Sequence, residues 1–119
     1  MKGGAAMAAL TSVSITTAGN TPAPVAVAAS DTIAAGMFGS TGCILRVINA
    51  GGTQDSVTIS DPNPTVIGNL VTAPTAVVVP ITTGIRMIFI PLAAINQTTQ
   101  LATVNHSFIT TVTCELYRI

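Results

Sequence analysis

The stretch Cys43-Ile44-Leu45-Arg46-Val47-Ile48-Asn49, preceded by Gly36, Gly39 and Gly42 and closed by Asn49-Ala50-Gly51-Gly52, decides the fold. It is apolar on both faces apart from Arg46, and its β-branched residues stiffen χ1 and suit a pleated surface. A short apolar run between glycines fits a strand covered on both sides, so 43–49 is predicted to be a central strand. The Asn49-Ala50-Gly51-Gly52 segment is predicted to turn.

Outward from that strand, 56–60 alternates, with Val57 and Ile59 inward and Thr58 outward, and it is expected to pair antiparallel with 43–49. Asp61-Pro62-Asn63-Pro64 stops it, because proline lacks a donor and restricts the residue before it. Residues 65–74 read as a loop carrying one short strand. Residues 76–81 and 85–90 read as a hairpin around Thr82-Thr83-Gly84, and 101–108 and 112–119 as a final pair joined near Thr110-Thr111. On the N-terminal side, 12–16 sets Val13 and Ile15 against Ser12, Ser14 and Thr16. Pro22 and Pro24 confine 24–28 to an edge or an arm, and 31–37 is ambiguous. No window shows apolar residues at helical spacing with charges opposite. The expectation is an all-β, single-domain antiparallel β-sandwich of about seven to eight strands, jelly-roll-like or immunoglobulin-like, over 25–119. An extended N-terminal arm or first strand, 1–24, precedes it.

The chain of 119 residues carries 7% charged and 49% hydrophobic residues, and its four basic and four acidic groups cancel. A dispersed monomer needs interspersed charge, so the exterior must consist largely of Thr, Ser, Asn, Gln, Ala and Gly. Hydroxyls and amides can re-form hydrogen bonds across a contact, whereas an unpaired buried charge is costly. Much of this exterior is therefore predicted to be interface. Lys2, Arg46, Arg86 and Arg118 are scattered, which argues against nucleic-acid binding by counterion release. The uncharged stretches 3–30, 62–85 and 87–114 are interrupted by proline or by Thr, Asn and Gln, so no spanning helix is expected. The start, Met1-Lys2 followed by an Ala-rich run, mimics a signal peptide but is short and weakly apolar, and cytoplasmic synthesis is expected.

Catalysis needs convergent titratable groups, and the supply is His106, Asp31, Asp55, Asp61, Glu115, Cys43 and Cys114. His106 alternates with Val104 and Phe108, so a packing or interface role is favoured over general base or ligand. No local motif supports a cysteine nucleophile, two lone cysteines give no metal spacing, and both read as small buried apolar side chains. Their separation resembles the inter-sheet bridge of immunoglobulin domains, but the chain has no Trp and Tyr117 follows the second Cys instead of preceding it. Asp55 and Asp61, near Asn49 and Asn63, lack the dense alternating acidic spacing of a Ca²⁺ loop and are read as turn formers. Arg46 and Arg86 each interrupt an apolar strand. They must snorkel or find a carboxylate, so the candidate interface set is Arg46, Arg86, Asp55, Asp61 and Glu115, paired between subunits. Phe38, Phe89, Phe108 and Tyr117 are few enough to be consumed by the core, which weakens a carbohydrate-binding reading. No catalytic residue, metal or cofactor is expected.

Four stretches, Cys43-Ile-Leu-Arg-Val-Ile-Asn-Ala-Gly-Gly, Asp55-Ser-Val-Thr-Ile-Ser-Asp, Val77-Val-Val-Pro-Ile-Thr-Thr-Gly-Ile-Arg and Cys114-Glu-Leu-Tyr-Arg-Ile, carry a resemblance. Their pattern resembles the small β-sandwich head decoration proteins, the cement or minor capsid proteins, of tailed bacteriophages, over roughly residues 25 to 119. The resemblance implies a non-enzymatic virion structural protein, a homo-oligomer and most commonly a trimer, seated on the major capsid protein at the capsid surface. A tail, head-tail connector or fibre subunit is the alternative within that class, and a carbohydrate-binding β-sandwich module the alternative outside it.

Overall fold

The structure, a computed structural model, describes residues 7–60 and 76–119. Among these residues ten strands follow one another: β1 Met7–Ala9, β2 Val13–Ser14, β3 Val25–Ala26, β4 Ser30–Ala34, β5 Gly42–Asn49, β6 Asp55–Ile59, β7 Val77–Val79, β8 Gly84–Pro91, β9 Leu101–His106 and β10 Val112–Arg118. They form two packed sheets, a first in the order β1-β4-β9-β6-β7 and a second in the order β2-β10-β5-β8, with β3 also paired to β10.

Four antiparallel pairs define the topology: β3 with β10, β4 with β9, β5 with β8 and β6 with β7. Paired first to last, second to next-to-last and so inward, β3 to β10 behave as one long hairpin wrapped over itself, which is the jelly-roll arrangement of eight strands. The order therefore separates the two sandwich readings in favour of the jelly roll. β1 and β2 lie outside that set and join β4 and β10 in parallel, so the N-terminal segment from residue 7 extends one edge of each sheet.

β5 is central in its sheet, flanked by β10 and β8. Its pairing with 56–60 does not form, because β6 lies in the opposite sheet and pairs with β7 and β9. The expected hairpin of 76–81 with 85–90 and the expected final pair are corrected in the same way: β7 and β9 belong to the first sheet, β8 and β10 to the second. The reason is common to all three. Each of these strands has a stripe of apolar residues to bury, and a short connection that crosses between the sheets sets the two stripes face to face. The ambiguous 31–37 resolves into β4 and a 3-10 turn at Ala35–Met37. The expected loop at 65–74, the stop at 61–64 and the first six residues lie outside the described residues.

The core is built from alternation. β9 buries Ala102, Val104 and His106, β5 buries Cys43, Leu45 and Val47, and Ile33, Val57, Val79 and Ile90 close the space between the sheets. Fully burying a Val, Leu or Ile side chain contributes about 1.5–3 kcal/mol before entropy is counted. Gly42 enters β5 at φ +147°, where a Cβ would stand 2.4 Å from the Ile90 carbonyl oxygen. Only glycine lets the two strands approach there. Cys43 and Cys114 are free and buried, on β5 and β10 of one sheet, so the likeness to an inter-sheet bridge does not hold.

Candidate functional site

Two clusters bring charged residues together, one inside the sandwich and one on its outer surface. The inner cluster sits on the buried face of the first sheet, at the end where β4 begins, β6 begins and β9 ends. His106 is buried, with its Nδ1 2.6 Å from Asp55 Oδ2 and its Nε2 3.6 Å from Asp31 Oδ2. All three side chains are closed off from solvent. The first contact is a short, charge-assisted hydrogen bond. The second is within ion-pair reach but too long for a hydrogen bond, which leaves Nε2 without a bonded partner.

Backbone donors complete the carboxylates. Asp55 Oδ1 accepts from the N–H groups of Ser107 and Phe108, and Asp31 accepts from the N–H of Ala28. Burial alone would push the imidazole down, but its contacts with Asp31 and Asp55 outweigh that and raise His106 to about 9. The histidine is therefore an imidazolium at neutral pH, held between carboxylates from two other strands. Asn49, fully buried beside this end, donates to the carbonyls of Thr53 and Val79 and accepts from Gly51 N–H. The arrangement ties β4, β6 and β9 to one another and to the segments that precede β4 and β6 and follow β9.

Its chemical scope is narrow. One ring nitrogen is bonded to Asp55, the other faces Asp31, and no surface opens onto either. The neighbouring thiol of Cys114 is pushed up to about 12, by burial first and then by the charges of Asp31 and Glu115, so it stays protonated and poorly nucleophilic. Burial likewise raises Cys43, against an opposing backbone hydrogen bond from Gly39 and the charge of Arg118. Among the described residues no group of three or more His, Cys, Asp or Glu is placed to hold a metal ion, and no helix is long and apolar enough to cross a membrane.

The outer cluster lies on the solvent face of the second sheet. Arg46 of β5 stands directly across from Glu115 of β10, and its Nη1 lies 3.1 Å from both carboxylate oxygens. Tyr117 donates its hydroxyl to the same carboxylate at 2.5 Å, and that bond, ahead of burial and of the Glu115 charge, raises its pKa. Around this pair the face is apolar. Ile85, Met87 and Phe89 of β8 lie opposite Ile48, Arg46 and Ile44 of β5, and Val13 of β2 lies opposite Tyr117. Met87 is 63% exposed, Phe89 51% and Ile85 39%.

The expected interface residues are thus divided. Arg46 and Glu115 meet within one chain. Asp55 is internal and neutralised by His106, so it is not a surface contact; its alternation with Val57 placed it inward. Arg86 is exposed on β8 and donates to its neighbour's carbonyl at Ile85, and Asp61 lies outside the described residues. Phe89 is a further correction, since its ring points outward and is not consumed by the core. Sequence reasoning missed the convergence of Asp31, Asp55 and His106, although each lies at an inward position of an alternating strand. A groove of about 270 Å³ opens where β3 and β2 share the edge of β10, lined by Leu10, Val13, Val25 and Leu116 among others. Among the described residues its titratable side chains are those of Cys114, Glu115 and Tyr117.

Compared with family models, with curated proteins and with solved structures, the chain matches none.

Proposed function

We propose that the chain is a structural subunit of a repeated assembly, a virion protein that decorates the outer surface of a tailed-phage capsid and stabilises the head. The observation that carries the subunit reading is the solvent face of the second sheet. Ile85, Met87 and Phe89 are exposed together there, and its one ion pair is already neutralised within the chain. Such a face can be covered by a neighbour without stranding a charge, which is the expensive step in burying polar surface. Contiguous exposed apolar surface of this kind marks interaction sites.

The capsid itself enters through the resemblance of the quoted segments, and a jelly roll is compatible with it, since that fold serves viral shells as well as lectins and cupins. Weak contacts repeated over a lattice sum to high avidity. No catalytic step belongs to this reading: of the two titratable clusters among the described residues, the inner one is sealed in the core and the carboxylate of the outer one is taken up by Arg46 and Tyr117. The carbohydrate-binding alternative rests on the exposed ring of Phe89, which could stack on a sugar.

The test is mass spectrometry of purified virions with copy number per particle. Hundreds of copies support the head shell, a handful moves the protein to the tail or connector, and absence from particles ends the virion reading. Binding of the isolated chain to a glycan array, lost in Phe89→Ala, would support the lectin-like alternative instead.

A further inference from the structure

We propose that β8 is a self-pairing edge, through which two copies of this chain join antiparallel about a two-fold axis at Met87. The inference deepens the subunit reading by naming one partner as a second copy.

The ladder fixes which way the backbone groups of β8 point. Gly42 exchanges both its backbone bonds with Ile119, on the β10 side. Antiparallel ladders alternate, so Gly42, Ile44, Arg46 and Ile48 face β10, and Cys43, Leu45, Val47 and Asn49 face β8. The ladder partners of this second set are Ile90, Ile88, Arg86 and Gly84. The N–H and C=O groups of Ile85, Met87 and Phe89 therefore point away from the sheet. Among the described residues they meet no strand, and one of these carbonyls, that of Ile85, is met by the Arg86 guanidinium.

An unpaired edge is a template for another strand, and natural sheets usually keep such edges short or charged. The other edge strands here have two or three residues, whereas β8 has eight. It is also the strand with the largest exposed apolar stripe. Length, backbone groups that no described strand pairs and apolar side chains coincide on this one strand.

Register follows from the same alternation, because opposed residues must both present outward-pointing groups. With the axis at Met87, Met87 faces its own copy and Ile85 faces Phe89 of the other chain, so every outer-face pair is apolar. Shifting the axis to Arg86 would oppose like charges, and shifting it to Ile88 would set Ile85 against Pro91, which has no N–H to donate. The contact is isologous and closes at two copies, in contrast with the trimer that the resemblance implies. It is smaller than the roughly 800 Å² per partner of a standard interface, so a weak, concentration-dependent dimer is expected.

Analytical ultracentrifugation of the full chain over a wide concentration range should show a rise from the 12.0 kDa monomer to twice that mass. Met87→Lys should abolish the rise while leaving the circular dichroism spectrum unchanged. Independently of that variant's behaviour, Met87→Cys should form a disulfide-linked dimer, since directly opposed residues lie about 5.5 Å apart at Cα, within disulfide reach. Ile85→Cys mixed with Phe89→Cys should crosslink far more than either alone. A single mass at every concentration, or Met87→Cys linking no faster than Ile109→Cys on an exposed loop, overturns the proposal. A dimer in a protein absent from virions would sink the capsid reading and leave this one standing.

Discussion

The inner face of the first sheet and the outer face of the second have exchanged the roles that hydropathy would assign them. Inside, Asp31, His106 and Asp55 sit in full burial among valines. Outside, Met87, Phe89 and Ile85 face solvent. The difference shows what decides burial in a chain so poor in charge. A charged group can go inside when opposite charge and backbone donors are waiting for it, and an apolar group can stay outside when the sheet it belongs to has a second face to offer a partner. Inside, three strands are fixed by a few directional contacts. Outside, a surface is left that a neighbour could cover without desolvating an unpaired ion.

The strongest way to break this comparison is to remove a partner from the inner cluster. Asp55→Ala takes away the hydrogen bond to His106 and the acceptor for Ser107 and Phe108, and it leaves an imidazolium facing Asp31 alone. Breaking a buried ionic set on one side costs about 3–5 kcal/mol. Urea unfolding should show that loss with an unchanged slope; a loss under about 1 kcal/mol, the size of an average point mutation, would mean the cluster is not structural.

The next effect is in pH, and its sign follows from the raised histidine. An ordinary unfolded imidazole titrates near 6.5, and folded His106 near 9. Its stabilisation is therefore complete below about pH 6.5 and is lost as pH rises through 9, because the native state holds a proton that the unfolded chain gives up. The span corresponds to about 3 kcal/mol. Denaturant titrations at steps across that window, with His106→Gln as the reference that should lack this slope, check it. Stability that rises between pH 6.5 and 9 would contradict a charged histidine.

On the outer face the Arg46/Glu115 pair should matter less, since Arg46 reaches partly into solvent while Glu115 is nearly covered. A double-mutant cycle with Arg46→Ala and Glu115→Ala is expected to give a coupling of about 1–2 kcal/mol, between an exposed pair and a buried one. A coupling near zero would make the face's neutrality incidental, and with it the argument that a neighbour can cover this face cheaply.

How much of this was legible in the residues follows the range of the forces involved. The central strand at 43–49 was readable because an apolar run between glycines has few other solutions, and the sandwich because alternating Val, Ile and Thr recur down the chain. Pairing was not readable. Val57 and Ile59 look the same whether β6 lies beside β5 or across from it, and the jelly-roll order depends on contacts between residues as far apart as Val25 and Cys114. Arg46 announced its need for a carboxylate, but alternation alone could not say that Glu115 of the same chain would stand opposite. The inner cluster was half visible. Asp55 alternates with Val57 and His106 with Val104, so each pointed inward, yet nothing local says that three inward groups from three strands converge.

The smallest expected effect is on the outer face away from the ion pair, and it discriminates most sharply between the two regions. Met87→Thr removes a large apolar side chain and keeps a residue suited to strands. If Met87 serves only a neighbour, monomer stability should change by no more than about 0.5 kcal/mol, as for surface positions generally. Dilute protein is the right sample, because any self-pairing at high concentration would add its own binding energy to the native state. A loss of about 2 kcal/mol or more, typical of a truncated core methionine, would place Met87 among the groups that hold the monomer together. The exposed stripe would then be part of the fold's own packing instead of a surface kept for a partner.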